Sequence, residues 1–151
     1  MRLLVQRSLN SSVTVDNKVV GKIDRGLVVL VGFKRDDTEK DIDYLVKKLI
    51  NLRIFDDDNG VMNKSIIDVG GNVLSISQFT LYANTVKGNR PSYIDSMPAS
   101  NAKKYYDLFN EKLKKYIDVE TGIFQSDMKV NITNDGPVTI MLESRSENDK
   151  K

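Results

Sequence analysis

The sequence predicts an α/β fold in a single domain, on three observations. At 151 residues with 40% hydrophobic content, the chain is one domain that can bury a real core. Its first third is a succession of β-rich runs separated by turn formers. Two later segments carry apolar residues at helical spacing, and strand-like runs lie between and after them.

In order, Arg2 to Arg7, Ser12 to Val15, Lys18 to Ile23 and Gly26 to Phe33 read as strands, punctuated by Asn10, Asp16-Asn17 and Asp24-Arg25-Gly26. Leu27 to Val31 is continuously apolar, as befits a central strand covered on both faces. Ile42, Leu45, Val46, Leu49 and Ile50 fall at i, i+3, i+4, i+7 and i+8, one stripe of a helix with Thr38 placed to cap it. Asp56-Asp57-Asp58-Asn59-Gly60 lacks the alternating ligands and terminal Glu of a calcium loop and reads as a solvated turn. Strand resumes around Gly71. Thr85 to Pro91 is an exposed loop, and Ala99 to Ile117 is the second main helix, burying Ala102, Tyr105, Tyr106, Phe109, Leu113, Tyr116 and Ile117. Two strands, near Met128 to Thr133 and Val138 to Glu143, flank a Gly-Pro turn. The domain is expected to span 1–143, with 144–151 a polar, frayed tail.

Composition narrows the chemistry. The chain has no Cys and no His, which removes Ser-His-Asp triads, Cys-His nucleophiles, disulfides and zinc sites built on thiolate or imidazole. A carboxylate-bound metal stays open as an alternative, but no acidic cluster has metal-loop spacing, and no metal or cofactor is expected. A net charge of +2 points any nucleic-acid partner to a local patch rather than a basic surface. No apolar run reaches membrane-spanning length, and charges interrupt the would-be signal core at Met1 to Arg7. A cytoplasmic protein without a membrane partner is expected.

Two segments do not read as packing alone: Ser75 to Ala83, where a strand breaks into Ser77-Gln78-Phe79-Thr80, and Asn134-Asp135-Gly136-Pro137-Val138-Thr139. Singly, each has a plain structural explanation: Asn-Asp-Gly-Pro as a hairpin turn, Ser77-Gln78 as the outer face of an edge strand, Thr80 as a β-branched filler. Together, about 55 residues apart and in this order, they resemble the Ser-Gln-x-x-Leu and Asn-x-Gly-Pro-Val-Thr signatures of the D-aminoacyl-tRNA deacylase family. The resemblance extends over Val5 to Arg7, Asp68 to Gly71, Lys87-Gly88-x-Arg90-Pro91 and Glu120 to Gly122. One departure is Phe33-Lys34-Arg35-Asp36, where many relatives carry a His- or Gly-containing turn.

The resemblance implies a mostly antiparallel, β-barrel-like α/β fold acting as a homodimer on the 3′ end of aminoacylated tRNA. It implies a cis Gly136-Pro137 bond, and a loop there that enters the partner subunit's site beside Ser77 to Thr80. The implied reaction is hydrolysis of the ester between a D-amino acid and the terminal ribose. Backbone N–H groups near Phe79 and Thr80 would hold the oxyanion, and the ribose 2′-hydroxyl would help activate water. Thr80 has no neighbouring base and is read as a positioning residue, with nucleophile as the alternative. Two carbonyls of the Gly-Pro loop would take the α-ammonium, so that an L side chain clashes and glycine passes. Asn134 belongs to this loop. Arg7 is implied to hydrogen-bond around it or else to be a strand-end charge. Gln78 would orient the motif or contact the ribose. Phe124 and Met128 match either a pocket for the terminal adenine or core packing. Lys87 and Arg90 would hold phosphates or simply be solvated. The other classes are a non-catalytic nucleic-acid-binding homodimer of the same fold and a purely structural dimer.

Overall fold

In the computed structural model, which describes residues 1–145, Asp16 and Asn17 take positive φ angles of 49° and 63°. Asn and Asp tolerate this left-handed region, and two such residues in succession make the turn that suits a right-twisted hairpin. They close β1 (Arg2–Val15) onto β2 (Lys18–Gly32) in an antiparallel ladder running from Val15↔Lys18 to Arg2↔Gly32. The four short strands expected here are therefore two long ones. Asn10 (φ 41°) does not reverse the chain; it sits where the pairing of β1 with the last strand slips between Leu9 and Ser12.

Helix α1 (Glu39–Asn51) begins at Thr38, whose backbone N–H donates to Asp41 Oδ2 at 2.8 Å, and it buries the expected Ile42, Leu45, Val46, Leu49 and Ile50. β3 (Phe55–Asp56) and β4 (Met62–Lys64) form a small hairpin. The acidic run between them is its turn, with Asp57 Oδ1 accepting from the N–H groups of Asn59 and Val61. A single-turn helix, α2 (Ile66–Val69), follows and leads into β5 (Asn72–Ser77). Helix α3 (Ala99–Lys114) buries Ala102, Tyr106, Phe109 and Leu113 but ends three residues early. Tyr116, expected on its buried side, lies past the last turn and is 56% exposed. β6 (Val119–Thr121) was not anticipated; it is a three-residue edge on β5.

The sheet order is β6-β5-β2-β1-β7, where β7 is Lys129–Glu143. Its long ladders, β1–β2 and β1–β7, are antiparallel, while β5 and β6 join in parallel. Leu27, Val29 and Val31 point into a core shared with α1 and α3, and Val28 packs on the opposite face with Val13, Ile23, Leu74 and Ile76. Burial on both faces explains why this strand reads as an unbroken apolar run. The sheet rolls back on itself until a Cβ added at Gly21 would stand 2.8 Å from Thr121 O. No ladder joins β6 to β7 among the described residues, so the barrel-like sheet remains open.

Ser144 and Arg145, expected as the start of a frayed tail, are tied down. Ser144 N–H donates to Met1 O at 3.0 Å, and Arg145 pairs with Asp36, Asp37 and Asp41. The rest of that expected tail, 146–151, lies outside the described residues. Among the described residues no helix is long and apolar enough to cross a membrane.

Three carboxylates are held below the ordinary value by the contacts that start turns and helices. Asp57 is lowered by the Val61 and Asn59 N–H groups, and Asp68 by the backbone and side chain of Ser65. For Asp41, burial pushes upward and is outweighed by the Thr38 N–H, Ser144 and Arg145. A depressed folded-state pKa contributes stability that is present above the unfolded value and lost as pH falls through the folded one. The urea midpoint should therefore hold down to about pH 5 and drop below about pH 4, the unfolded carboxylate range. A flat midpoint through pH 3 would contradict this assignment.

Candidate active site

A cavity of about 770 Å³ opens where β5 ends. Ile76 and Ser77 leave the sheet there, Gln78 N–H donates to Val31 O at 2.7 Å, and the chain tightens into a 3-10 turn, Phe79–Tyr82. One wall comes from Phe33, Arg35, Phe79, Tyr93 and Met97, and another from Phe124, Gln125 and Met128; the start of α3 adds Pro98, Ala99 and Ala102. Phe79 is 56% exposed, and its ring meets that of Tyr93 edge-on, with centroids 5.0 Å apart. Ser96 Oγ donates to Phe79 O at 3.1 Å and pins the turn.

First residues of a helical turn have no intrahelical acceptor for their N–H groups. Phe79 and Thr80 occupy those positions, and among the described residues nothing accepts from either N–H. Two adjacent backbone donors thus stand free beside the cavity. Thr80 Oγ1 accepts a hydrogen bond from the Gln78 side-chain amide. An amide N–H cannot take the hydroxyl proton, so this contact orients Thr80 without activating it. Among the described residues the cavity lining holds no carboxylate and no lysine, and its one charged side chain is Arg35.

Behind the cavity, Tyr106 OH donates to Ser75 O at 2.7 Å, and its ring lies 6.0 Å from that of Phe124. Burial pushes the Tyr106 hydroxyl pKa up, against the pull of the Ser75 contact, so it stays protonated and able to donate. Among the described residues no group of three or more His, Cys, Asp or Glu is placed to hold a metal ion.

Gly136 and Pro137 lie elsewhere in the same chain. β7 does not turn back at Gly-Pro: both its halves pair with β1, with Ser8 opposite Asn134 and Gln6 opposite Thr139. The four residues Asp135 to Val138 bulge out opposite the single Arg7. The Gly136-Pro137 peptide is cis, and Gly136 takes φ 124°. Arg7, only 8% exposed, spans the base of this bulge. Its Nε donates to Asp135 O at 3.2 Å, and Nη1 donates to Ile54 O at 2.9 Å and Asp56 Oδ1 at 3.4 Å. Asn134 closes the bulge from within, accepting from Val138 N–H at 3.2 Å and donating to Thr139 Oγ1 at 2.9 Å. Gln6 also donates to that hydroxyl, at 3.1 Å.

Of the residues singled out in the sequence, Ser77, Gln78, Phe79, Phe124 and Met128 line one cavity, with Thr80 beside it. Arg7, Asn134, Gly136 and Pro137 form a second group that this cavity excludes. Ser77 is level with Val31, Leu3 and Leu142, whereas the bulge is level with Arg7, Leu27 and Val73. Four residues along and three strands across put the two groups on the order of 20 Å apart in the sheet. Sequence reasoning missed Tyr93, Met97 and Ser126 in the lining and the brace from Gln6. The first two come from the stretch before α3, which is held at the cavity by the Lys34↔Ser96 bridge, the Met97 N–H bond to Phe33 O and the Ser96 bond to Phe79 O.

A profile of the family described as D-Tyr-tRNA(Tyr) deacylase matches residues 4–143. A protein of Clostridium botulinum named D-aminoacyl-tRNA deacylase is 53% identical over 96% of this chain and 98% of its own length. One of the same name from Kosmotoga olearia is 50% identical over 97% of this chain and 99% of its own. Among solved structures, one titled c-Myc DNA Unwinding Element Binding Protein superposes with a TM-score of 0.92 at 41% identity, covering 97% of this chain and all of that one. A probable eukaryotic D-amino acid tRNA deacylase shares the fold, with a TM-score of 0.81 at 19% identity over 94% of this chain and 98% of that one. Matched along nearly its whole length by both profile and relatives, the chain belongs to the D-Tyr-tRNA(Tyr) deacylase family.

Proposed function

We propose that the protein hydrolyses the ester of D-aminoacyl-tRNA, releasing the D-amino acid, and that each site is completed by the Gly136-Pro137 bulge of a second subunit. The observation that carries the reading is the pair of Phe79 and Thr80 N–H groups that find no acceptor among the described residues, at the edge of a cavity those residues line without carboxylates. An aminoacyl ester is already a reactive acyl group. Its hydrolysis needs a placed water and donors for the tetrahedral oxyanion, and a single preorganised donor is worth about 10²–10³ in rate. The two N–H groups supply the donors, while the substrate's own 2′-hydroxyl helps activate the water. Gln78 holds Thr80, and Phe124 and Met128 receive the terminal adenine.

Chirality is read by backbone. The Gly136 and Pro137 carbonyls of the partner take the α-ammonium, so a D side chain points to open space and an L side chain meets the bulge. Glycine, with no side chain to reject, is also a substrate. Within one chain none of the bulge residues lines the cavity, which supports assembly in trans. Sedimentation should accordingly find a homodimer; a fully active monomer would refute the composite site.

Incubation with D-tyrosyl-, L-tyrosyl- and glycyl-tRNA tests the proposal. Release from the D- and glycyl-esters with the L-ester intact is expected; release from none would overturn it. Thr80→Ala should keep rates within about tenfold of wild type, since positioned groups that do no proton transfer contribute less than the 10²–10⁴ of an acid or base. Complete loss in a folded, tRNA-binding variant would make Thr80 the nucleophile. A second reading, nucleic-acid binding without hydrolysis, draws on the DNA-binding title of the relative at 41% identity; tRNA binding with no release from any ester would favour it.

A further inference from the structure

Among the described residues Arg35 is the one charged side chain in the cavity lining, and its surroundings leave it ready for an anion. Its backbone N–H donates to Asp95 O at 2.9 Å and its Nε to Ile94 O at 3.1 Å. Those contacts tie the side chain to the wall that carries Tyr93 and Phe79. They use one of the five guanidinium donors and leave both terminal nitrogens without a partner among the described residues.

Of the acids near it, Asp36 and Asp37 are engaged elsewhere, and Asp95, whose carbonyl takes the Arg35 N–H, forms no ion pair with it among the described residues. Asp36 and Asp37 follow Arg35 directly, yet Asp36 accepts hydrogen bonds from both terminal nitrogens of Arg145, at 3.0 and 3.1 Å. Asp37 pairs with Arg145 at 2.5 Å and with the Met1 ammonium at 2.7 Å. Arg145 thus draws the neighbouring carboxylates to the other side of this turn, and no ion pair to Arg35 forms among the described residues. A planar fork at the rim of an apolar cavity suits a phosphate, which it can bind through two parallel hydrogen bonds. On an aminoacylated 3′ end the base and ribose are neutral and the amino group is cationic. On the D-tyrosyl ester the phosphodiester is therefore the only anion.

We propose that Arg35 binds the phosphodiester on the 5′ side of the terminal nucleoside, so that the cavity grips its substrate by the backbone as well as the base; this rests on the deacylase reading. The test compares wild type, Arg35→Gln and Arg35→Lys on D-tyrosyl-tRNA and on D-tyrosyl-adenosine, which carries no phosphate. On tRNA, Arg35→Gln should raise KM roughly tenfold, the scale of a hydrogen bond to a charged group, with little change in the rate at saturation. The slope of log KM against log salt should fall by about 0.7, one phosphate contact on a single strand. On the adenosine ester the KM penalty should shrink to near onefold. Arg35→Lys should recover part of the loss, as a point charge without the fork. An equal penalty on both substrates, or none on tRNA, would overturn the assignment while leaving the deacylase reading intact. Hydrolysis of neither D-ester by the wild type would sink that reading, and this one with it.

Discussion

Gly136→Ala is expected to reduce single-turnover hydrolysis of D-tyrosyl-tRNA by about a hundredfold or more, the cost of a misplacement near 1 Å at a reacting centre. Gly136 holds φ 124°, a region that residues with a Cβ rarely enter. A Cβ there would stand 2.8 Å from Val138 Cγ2 and 3.1 Å from both Val138 N and Arg7 Nη2. Neither neighbour yields freely. Val138 N–H is bonded to Asn134, and Arg7 is buried across Ile54 O, Asp56 and Asp135. The bulge would therefore have to move as a whole, and the carbonyls proposed to read the α-ammonium would move with it. No residue of the bulge lines its own chain's cavity, so the cavity and the binding of uncharged tRNA should be unaffected. Stopped-flow or quench deacylation, with tRNA affinity measured in parallel, separates the two effects. Wild-type rates for a folded Gly136→Ala would place the chiral gate elsewhere.

Phe79→Pro should be nearly as damaging for a different reason. It deletes one of the two free N–H groups while asking little of the backbone, because proline is tolerated at the first position of a helical turn, where the N–H has no partner. Gln78, at φ −144° and ψ 83°, is already outside the helical region that a following proline disfavours. The variant also loses an aromatic ring that packs on Tyr93, so Phe79→Ala is the proper reference. Relative to that reference, Phe79→Pro should lose about 10²–10³ in kcat, the cost of one oxyanion donor, with KM little changed. Equal rates for the alanine and proline variants would remove the Phe79 N–H from the chemistry.

The elements that were legible in the sequence are those fixed by local periodicity. The stripe from Ile42 to Ile50 and the apolar run from Leu27 to Val31 lie where spacing put them, because burial on one helix face or both strand faces leaves its own signature. Lengths and ends were less legible. Asn10 and Asp24-Arg25-Gly26 look like turns, yet pairing with neighbours on both sides carries the strands through them. Tyr116 fits the helical period but falls beyond the last turn of α3. Gly136-Pro137 reads as a reversal between two strands. Arg7, from a strand more than a hundred residues earlier, instead holds it as a bulge in one continuous strand. Of the cavity, the motif residues were visible by type and Arg35 only as part of the departing turn Phe33-Lys34-Arg35-Asp36; Tyr93 and Met97 were not, since tertiary contacts bring them there.

Mixing two inactive variants tests the composite site most directly. Gly136→Ala and Phe79→Pro subunits, co-expressed with different tags and purified as dimers, pair at random in a two-fold assembly. Half of the dimers are then mixed, and in each one site joins an intact Phe79 to an intact Gly136 of the other subunit. The account predicts recovery of roughly a quarter of the wild-type rate of D-tyrosyl-tRNA hydrolysis in the mixed population, from the symmetry of an isologous dimer. Mixed dimers demonstrated by both tags yet no more active than either parent would show that Gly136 and Phe79 do not meet across the interface.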